Sequence, residues 1–74
     1  MVLEKLIAMA AERFGMEKMD LSANTTFEEL NIDSLDMVEL LMGIEDEFDI
    51  TVDDEDVEKF TTLGDVAEYI SNKN

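Results

Sequence analysis

The 74-residue sequence contains no cysteine, no histidine, no proline and no tryptophan. Without cysteine, the chain has no disulfide framework, no thiolate metal ligand and no thiol nucleophile. Without histidine, it lacks the side chain that most often serves as an acid–base group near neutral pH and as a metal ligand. We therefore expect a protein that is not an enzyme.

Positive charge is also scarce. The sequence has 5 Lys and Arg residues and 20 Asp and Glu residues, which give a net charge of −15. Such a charge argues against nucleic acid and anionic membrane surfaces as partners and favours basic proteins. It also predicts repulsion among carboxylates, which weakens the fold at low salt.

Long apolar runs are missing as well. The run over residues 6–11 is too short and too periodic for a signal peptide or a membrane span, so we expect a cytoplasmic protein. The hydrophobic fraction of 46% is ordinary for a globular chain. We expect a monomer with a single small domain over residues 1–74.

Apolar residues recur at helical spacing in three segments. Positions i, i+3, i+4 and i+7 place their side chains on one face of an α-helix. The first segment predicts a helix over residues 3–14, the second a helix from residue 34 to about residue 49, and the third a helix after residue 62. The residues of the three faces are Leu3, Leu6, Ile7, Ala10 and Phe14; Met37, Leu40, Leu41, Ile44 and Phe48; and Leu63, Val66, Ala67 and Ile70.

Short polar residues and glycine mark the ends of these helices. Gly15 stands where a left-handed cap ends the first helix. Asp33 is the predicted N-cap of the second helix, which places Ser34 at its first helical position. Thr62 is the predicted N-cap of the last helix.

The connection over residues 16–33 shows no sustained period, and apolar residues within it are expected to hold it against the core. Thr26 and Glu29 form a T-x-x-E capping box, which favours one helical turn over residues 27–31. The apolar anchors are Leu21, Phe27, Leu30 and Ile32.

The run over residues 53–60 begins with carboxylates, which are favourable at a helix N-terminus, and offers only two apolar residues to the core. It predicts a short third helix. The fold class is therefore all-α: a small bundle of three longer helices plus one short helix, with a long loop between the first and second helices.

Ser34 is the candidate functional residue. Serine is common at helix starts for structural reasons alone, but here Asp33 is the better cap and leaves the hydroxyl free. Backbone N–H groups at a helix start favour an attached phosphate by about 0.3–1 kcal/mol. Asp33 and Asp36 oppose a free anion by like charge. The position therefore suits a phosphodiester that an enzyme attaches covalently.

The segment between positions 19 and 58 contains no Lys or Arg and many carboxylates. This pattern is typical of a solvated surface or of a surface that attracts basic partners, and we favour recognition because the segment forgoes i,i+4 ion pairs. Leu35 and Met42 border the acidic face, where they either contact a partner or form the margin of the core.

Two other sequence patterns do not predict a binding site. The acidic run at residues 53–56 lacks the spacing and the glycine of a calcium loop, so we expect no specific metal site and only weak divalent binding. The glycines at positions 15, 43 and 64 are scattered and form no phosphate-binding loop.

Several motifs together resemble the signature of acyl carrier proteins, and most closely that of stand-alone carriers of bacterial-type fatty acid synthesis. Asn31 stands near the place of a family glycine, and asparagine tolerates left-handed backbone. The matching motifs are Ile32-Asp33-Ser34-Leu35-Asp36, Val38-Glu39-Leu40, Glu45-Asp46-Glu47-Phe48, Asp53-Asp54-Glu55-Asp56 and Thr61-Thr62-Leu63-Gly64-Asp65-Val66.

The resemblance implies that a phosphopantetheinyl transferase attaches 4'-phosphopantetheine from coenzyme A to Ser34. Acyl chains would be bound as thioesters to the thiol at the end of this prosthetic arm. Fatty acid synthesis enzymes would dock through basic patches. The docking residues would be Leu35, Asp36, Glu39, Met42, Asp46, Glu47 and Asp54, and candidates for an acyl cavity are Leu41, Ile44, Val57 and Phe60.

Two alternatives stay open. The chain could be a specialised carrier for a polyketide, secondary-metabolite or other acyl pathway. From a different class, it could be an acidic mimic of nucleic acid that binds a DNA-binding protein, a role that needs charge but no particular serine.

Overall fold

The computed structural model describes residues 2–73. Four α-helices follow one another: α1 (Val2–Phe14), α2 (Ser34–Phe48), α3 (Asp54–Val57) and α4 (Leu63–Lys73). A 3-10 helix, Lys18–Asp20, lies in the long connection between α1 and α2. The predicted all-α architecture of three longer helices, one short helix and a long first connection is confirmed.

The core lies where the three predicted apolar faces meet. Leu6, Leu40, Ile44, Leu63 and Ile70 are almost fully buried. Ala11 is also buried although it lies outside the predicted face of α1, because α1 packs against both α2 and α4. Further residues of the predicted faces pack around this centre while partly exposed: Leu3, Ile7, Phe14, Met37 and Phe48.

The long connection is held by α4 as well as by its own apolar residues. Leu21 and Phe27 are buried, as predicted, and Leu30 and Ile32 pack against the core. Three backbone hydrogen bonds join the connection to the start of α4, and the sequence pattern did not indicate them. They are Phe27 N–H to Thr61 O at 3.1 Å, Leu63 N–H to Thr25 O at 3.0 Å, and Gly64 N–H to Ala23 O at 2.9 Å.

The capping box within this connection is confirmed, but it does not start a helix. Glu29 N–H donates to Thr26 Oγ1 at 3.1 Å and Thr26 N–H donates to Glu29 Oε2 at 3.2 Å. Residues 27–31 form turns instead of the expected helical turn. Asn31 ends them in the left-handed region, with φ of 56°, and Ile32 N–H donates back to Phe27 O at 3.3 Å.

The ends of the longer helices follow the predicted caps. Gly15 has φ of 67°, and Met16 N–H closes the end of α1 on Ala11 O at 2.9 Å. Thr62 Oγ1 accepts from Asp65 N–H at 3.1 Å, and the Asp65 carboxylate accepts in return from Thr62 N–H at 3.1 Å. This reciprocal pair fixes the start of α4.

The third helix, α3, is shorter than the run over residues 53–60 from which it was predicted. The i→i+3 bonds Lys59 N–H to Asp56 O and Phe60 N–H to Val57 O tighten the chain after residue 57 and end the α-helical pattern. α4 holds the other end of α3, because Asp53 N–H donates to the Tyr69 hydroxyl at 3.3 Å.

No helix within residues 2–73 is long and apolar enough to cross a membrane.

Candidate functional site

The site begins at the N-cap of α2. Asp33 has extended backbone, with φ of −88° and ψ of 179°, and its Oδ1 accepts from Asp36 N–H at 2.9 Å. Asp33 O accepts from Met37 N–H at 3.0 Å and starts the helical pattern. Both bonds confirm Asp33 as the cap, so Ser34 occupies the first helical position without a capping duty.

Ser34 is exposed. Its hydroxyl makes no hydrogen bond to any other residue that the structure describes, and its neighbour Leu35 is also exposed. The hydroxyl is therefore accessible to an enzyme that modifies it.

These surroundings fit a covalently attached phosphodiester better than a free anion. The N-terminus of the 15-residue α2 favours a phosphate through its N–H groups. The carboxylates of Asp33 and Asp36 disfavour it by like charge, and the sequence offers no Lys or Arg between positions 19 and 58. A covalent bond would hold the phosphate where local electrostatics alone would not.

An apolar ridge follows Ser34 along α2, and we define it by Leu35, Val38 and Met42. Their exposed fractions are 66%, 50% and 61%. The spacing i, i+3 and i+7 places them in one line on the helix surface. Val38 was not among the predicted docking residues, although the same spacing in the sequence indicates it.

The predicted acidic docking residues fall into two groups. Glu39 Oε2 lies 3.2 Å from Arg13 Nη1, and Glu47 Oε2 lies 2.7 Å from Lys5 Nζ, so both form ion pairs with α1. Asp36, Asp46 and Asp54 form no ion pair within residues 2–73. A local sequence pattern indicates only pairs along a single helix, so these pairs between helices were not predicted.

A cleft of about 140 Å³ opens between α2 on one side and α3 with the segment before it on the other. Glu45 Oε2 accepts from Val52 N–H at 2.8 Å and joins its two sides. The lining residues are Val38, Leu41, Met42, Glu45, Val52, Asp54 and Val57.

Of the four acyl-cavity candidates, Leu41 and Val57 line this cleft and the other two do not. Ile44 is completely buried in the core. Phe60 instead packs edge-on against Tyr69, with 5.2 Å between ring centroids. Tyr69 also contacts Asp56, a residue of α3. The hydroxyl of Tyr69 and the ammonium of Lys59 stabilise the ionised carboxylate of Asp56 and hold its pKa below its ordinary value of 3.8.

Comparison with known proteins decides the family. The family model for the phosphopantetheine attachment site matches residues 4–70. An acyl carrier protein from an Exiguobacterium species is 45% identical over 64 residues, which cover 85% of this chain and 81% of that protein. The chain belongs to the acyl carrier protein family.

Solved acyl carrier protein structures share the fold of this carrier. The one from Enterococcus faecalis has a TM-score of 0.84 and 31% identity, and the match covers 99% of this chain and 94% of that one. The one from Thermotoga maritima has a TM-score of 0.79 and 32% identity, with 93% and 81% covered. The family resemblance and the prosthetic group, 4'-phosphopantetheine, are thereby confirmed.

Proposed function

We propose that this carrier transports acyl intermediates of fatty acid biosynthesis as thioesters on 4'-phosphopantetheine attached to Ser34, without catalysing a reaction itself. The observation that carries the proposal is the exposed Ser34 hydroxyl at the start of α2, free of capping because Asp33 holds that role. We place the protein in the cytoplasm as a monomer with one domain.

Loading of the arm is a phosphoryl-type transfer from coenzyme A. Ser34 Oγ attacks the phosphorus that bears the pantetheine, and a new P–O bond forms. The pyrophosphate bond of coenzyme A breaks, and adenosine 3',5'-bisphosphate leaves. The hydroxyl proton passes to a base of the transferase, because this chain has no histidine and only carboxylates beside the serine.

The arm supplies a thiol, which the chain lacks, and thioesters form on that thiol. The cleft beside the apolar ridge shields part of an acyl chain. A cavity of about 150 Å³ holds a benzene molecule, so the cleft of about 140 Å³ accommodates on the order of six carbons. Longer chains require that α3 and the segment before it move away from α2.

Basic enzymes dock on α2 in this proposal. The apolar ridge supplies the centre of the contact, and the carboxylates beside it supply a charged rim. Among these carboxylates, Asp36, Asp46 and Asp54 are free of ion pairs with residues 2–73. Opposite charge on a partner accelerates encounter and aligns the two proteins. The partners are a phosphopantetheinyl transferase and fatty acid synthesis enzymes.

The test of this proposal is loading in vitro. The purified chain is incubated with coenzyme A and a phosphopantetheinyl transferase, and its intact mass is measured. We expect one added arm in the wild type and in Ser71→Ala, an exposed serine in α4 that serves as control, and none in Ser34→Ala. Loading of Ser34→Ala, or no loading of the wild type, would contradict the proposal.

Enzyme assays separate fatty acid synthesis from a specialised pathway. The loaded carrier is offered to a fatty acid malonyltransferase and ketosynthase, and to their polyketide counterparts. We expect efficient elongation by the first set only. Preference for the polyketide set would assign the carrier to the alternative pathway. A complex with a DNA-binding protein that forms without coenzyme A and persists in Ser34→Ala would favour the nucleic-acid mimic.

A further inference from the structure

We propose that Arg13 and Lys5 of α1 compete with the basic residues of docking enzymes for Glu39 and Glu47, and thereby weaken docking on the α1 side of α2. This inference rests on the proposed function, because it assumes that basic enzymes approach α2.

The two ion pairs form a row between α1 and α2. Glu39 and Glu47 lie two helical turns apart on α2, and Gly43 lies between them. Arg13 Nη1 is 3.2 Å from Glu39 Oε2 and Lys5 Nζ is 2.7 Å from Glu47 Oε2. Two of the five Lys and Arg residues in the chain therefore form ion pairs with two of the predicted docking carboxylates.

Both pairs are accessible to a partner. The side chains of Arg13 and Glu39 are 41% and 46% exposed, and those of Lys5 and Glu47 are 52% and 44% exposed. Exposed ion pairs contribute little to folding stability, since water already solvates both charges. A partner base can therefore reach either carboxylate, but it must displace or share the base from α1.

The other carboxylates of the predicted docking set have no such competition. Asp36, Asp46 and Asp54 have no ion-pair partner in the part of the chain that the structure describes. A basic partner therefore gains more from these three carboxylates than from Glu39 and Glu47. Arg13 and Lys5 act through Glu39 and Glu47, so we call them positioning residues.

A charge-matched pair of variants tests the inference. Arg13→Gln and Lys18→Gln each remove one positive charge, but only the first releases a carboxylate, because Lys18 lies exposed on the 3-10 helix with no ion pair among the described residues. The readout is the KM and kcat of a phosphopantetheinyl transferase for each variant at low ionic strength.

We expect the KM of Arg13→Gln to be about 1.5- to 5-fold lower than that of Lys18→Gln, with kcat unchanged. This ratio corresponds to the free energy that exposed ion pairs contribute. Arg13→Lys retains the pair and should match the wild type. Equal urea midpoints for Arg13→Gln and Lys18→Gln would exclude a change in folding as the cause.

A double-mutant cycle gives the sharper result. Glu39→Gln should raise KM by a larger factor in the Arg13→Gln background than in the wild-type background, since the released carboxylate is then available to the enzyme. Equal factors in both backgrounds, or equal KM values for Arg13→Gln and Lys18→Gln, would overturn this inference while loading of Ser34 still supports the proposed function. A wild-type chain that is not loaded would overturn both.

Discussion

Gly64→Ala should destabilise the carrier although it replaces glycine by alanine inside a helix. An added Cβ at position 64 would lie 2.9 Å from Ala23 O and 3.2 Å from Ala23 Cβ. The same carbonyl accepts the Gly64 N–H hydrogen bond at 2.9 Å, one of the three bonds that join the long connection to α4. The alanine can fit only if this backbone contact opens.

The expected magnitude follows from three terms. Weakening a backbone hydrogen bond costs about 0.5–1.5 kcal/mol, and forcing extra volume into a packed contact costs about 1–3 kcal/mol. Replacing glycine by alanine returns about 0.4–1 kcal/mol through the unfolded state and helix propensity. The free energy of unfolding should therefore fall by about 0.5–4 kcal/mol, which lowers Tm by roughly 4–8 °C per kcal/mol in a domain of this size.

Gly43→Ala is the matched control, because the substitution is the same and the expected sign is opposite. Its Cβ would meet only Met9 Cε at 3.6 Å, an ordinary contact with the end of a flexible side chain. This variant should gain about 0.5–1 kcal/mol. Urea and thermal unfolding measure the stability of both variants. A Gly64→Ala protein as stable as the wild type would show that the contact with Ala23 does not restrict position 64.

Three further predictions concern the caps and the charge. Asp33→Ala removes the acceptor of Asp36 N–H and should lower the free energy of unfolding by about 0.5–2 kcal/mol, whereas Asp33→Asn should retain most of it; equal losses in urea titrations would argue against the cap. The N–H groups of Thr61 and Thr62 hold the pKa of Asp65 below its ordinary value of 3.8, so Asp65 stabilises the fold above that pH and loses this effect as pH falls through its lower folded pKa. The stability difference between wild type and Asp65→Asn should therefore stay constant well above pH 3.8 and shrink below it, and a difference that grows on acidification would contradict the sign. Raising salt from low to physiological concentration should raise Tm, because it screens the net charge of −15, and a flat or falling Tm would count against that repulsion.

The helices were predictable because each one carries a local signal. The apolar period of α2 and the cap at Asp33 are both visible in a short stretch of sequence, and the structure places both as expected. The long connection was less predictable, because the bonds from Gly64 and Leu63 to it join residues far apart in the chain. No local pattern indicates such bonds, and none indicated the 3-10 helix.

The candidate site likewise has features that the local sequence predicts and features that depend on how distant segments pack. The accessibility of Ser34 follows from its position beside Asp33, which the sequence shows. The ion pairs of Glu39 and Glu47 depend on how α1 lies against α2, and the cleft beside Leu41 depends on where the chain returns after α2. Phe60 is a cavity candidate through the family resemblance alone, and in the structure it lies beyond the end of α3 and packs against Tyr69.

Attachment of the arm to Ser34 can be measured on the protein purified from its own cells, by its intact mass and by tandem mass spectrometry of the modified peptide. We expect a population that carries one 4'-phosphopantetheine, with or without an acyl group on its thiol, and with the added mass on Ser34. A population without the arm in cells that make coenzyme A, or an arm on Ser22 or Ser71, would contradict it.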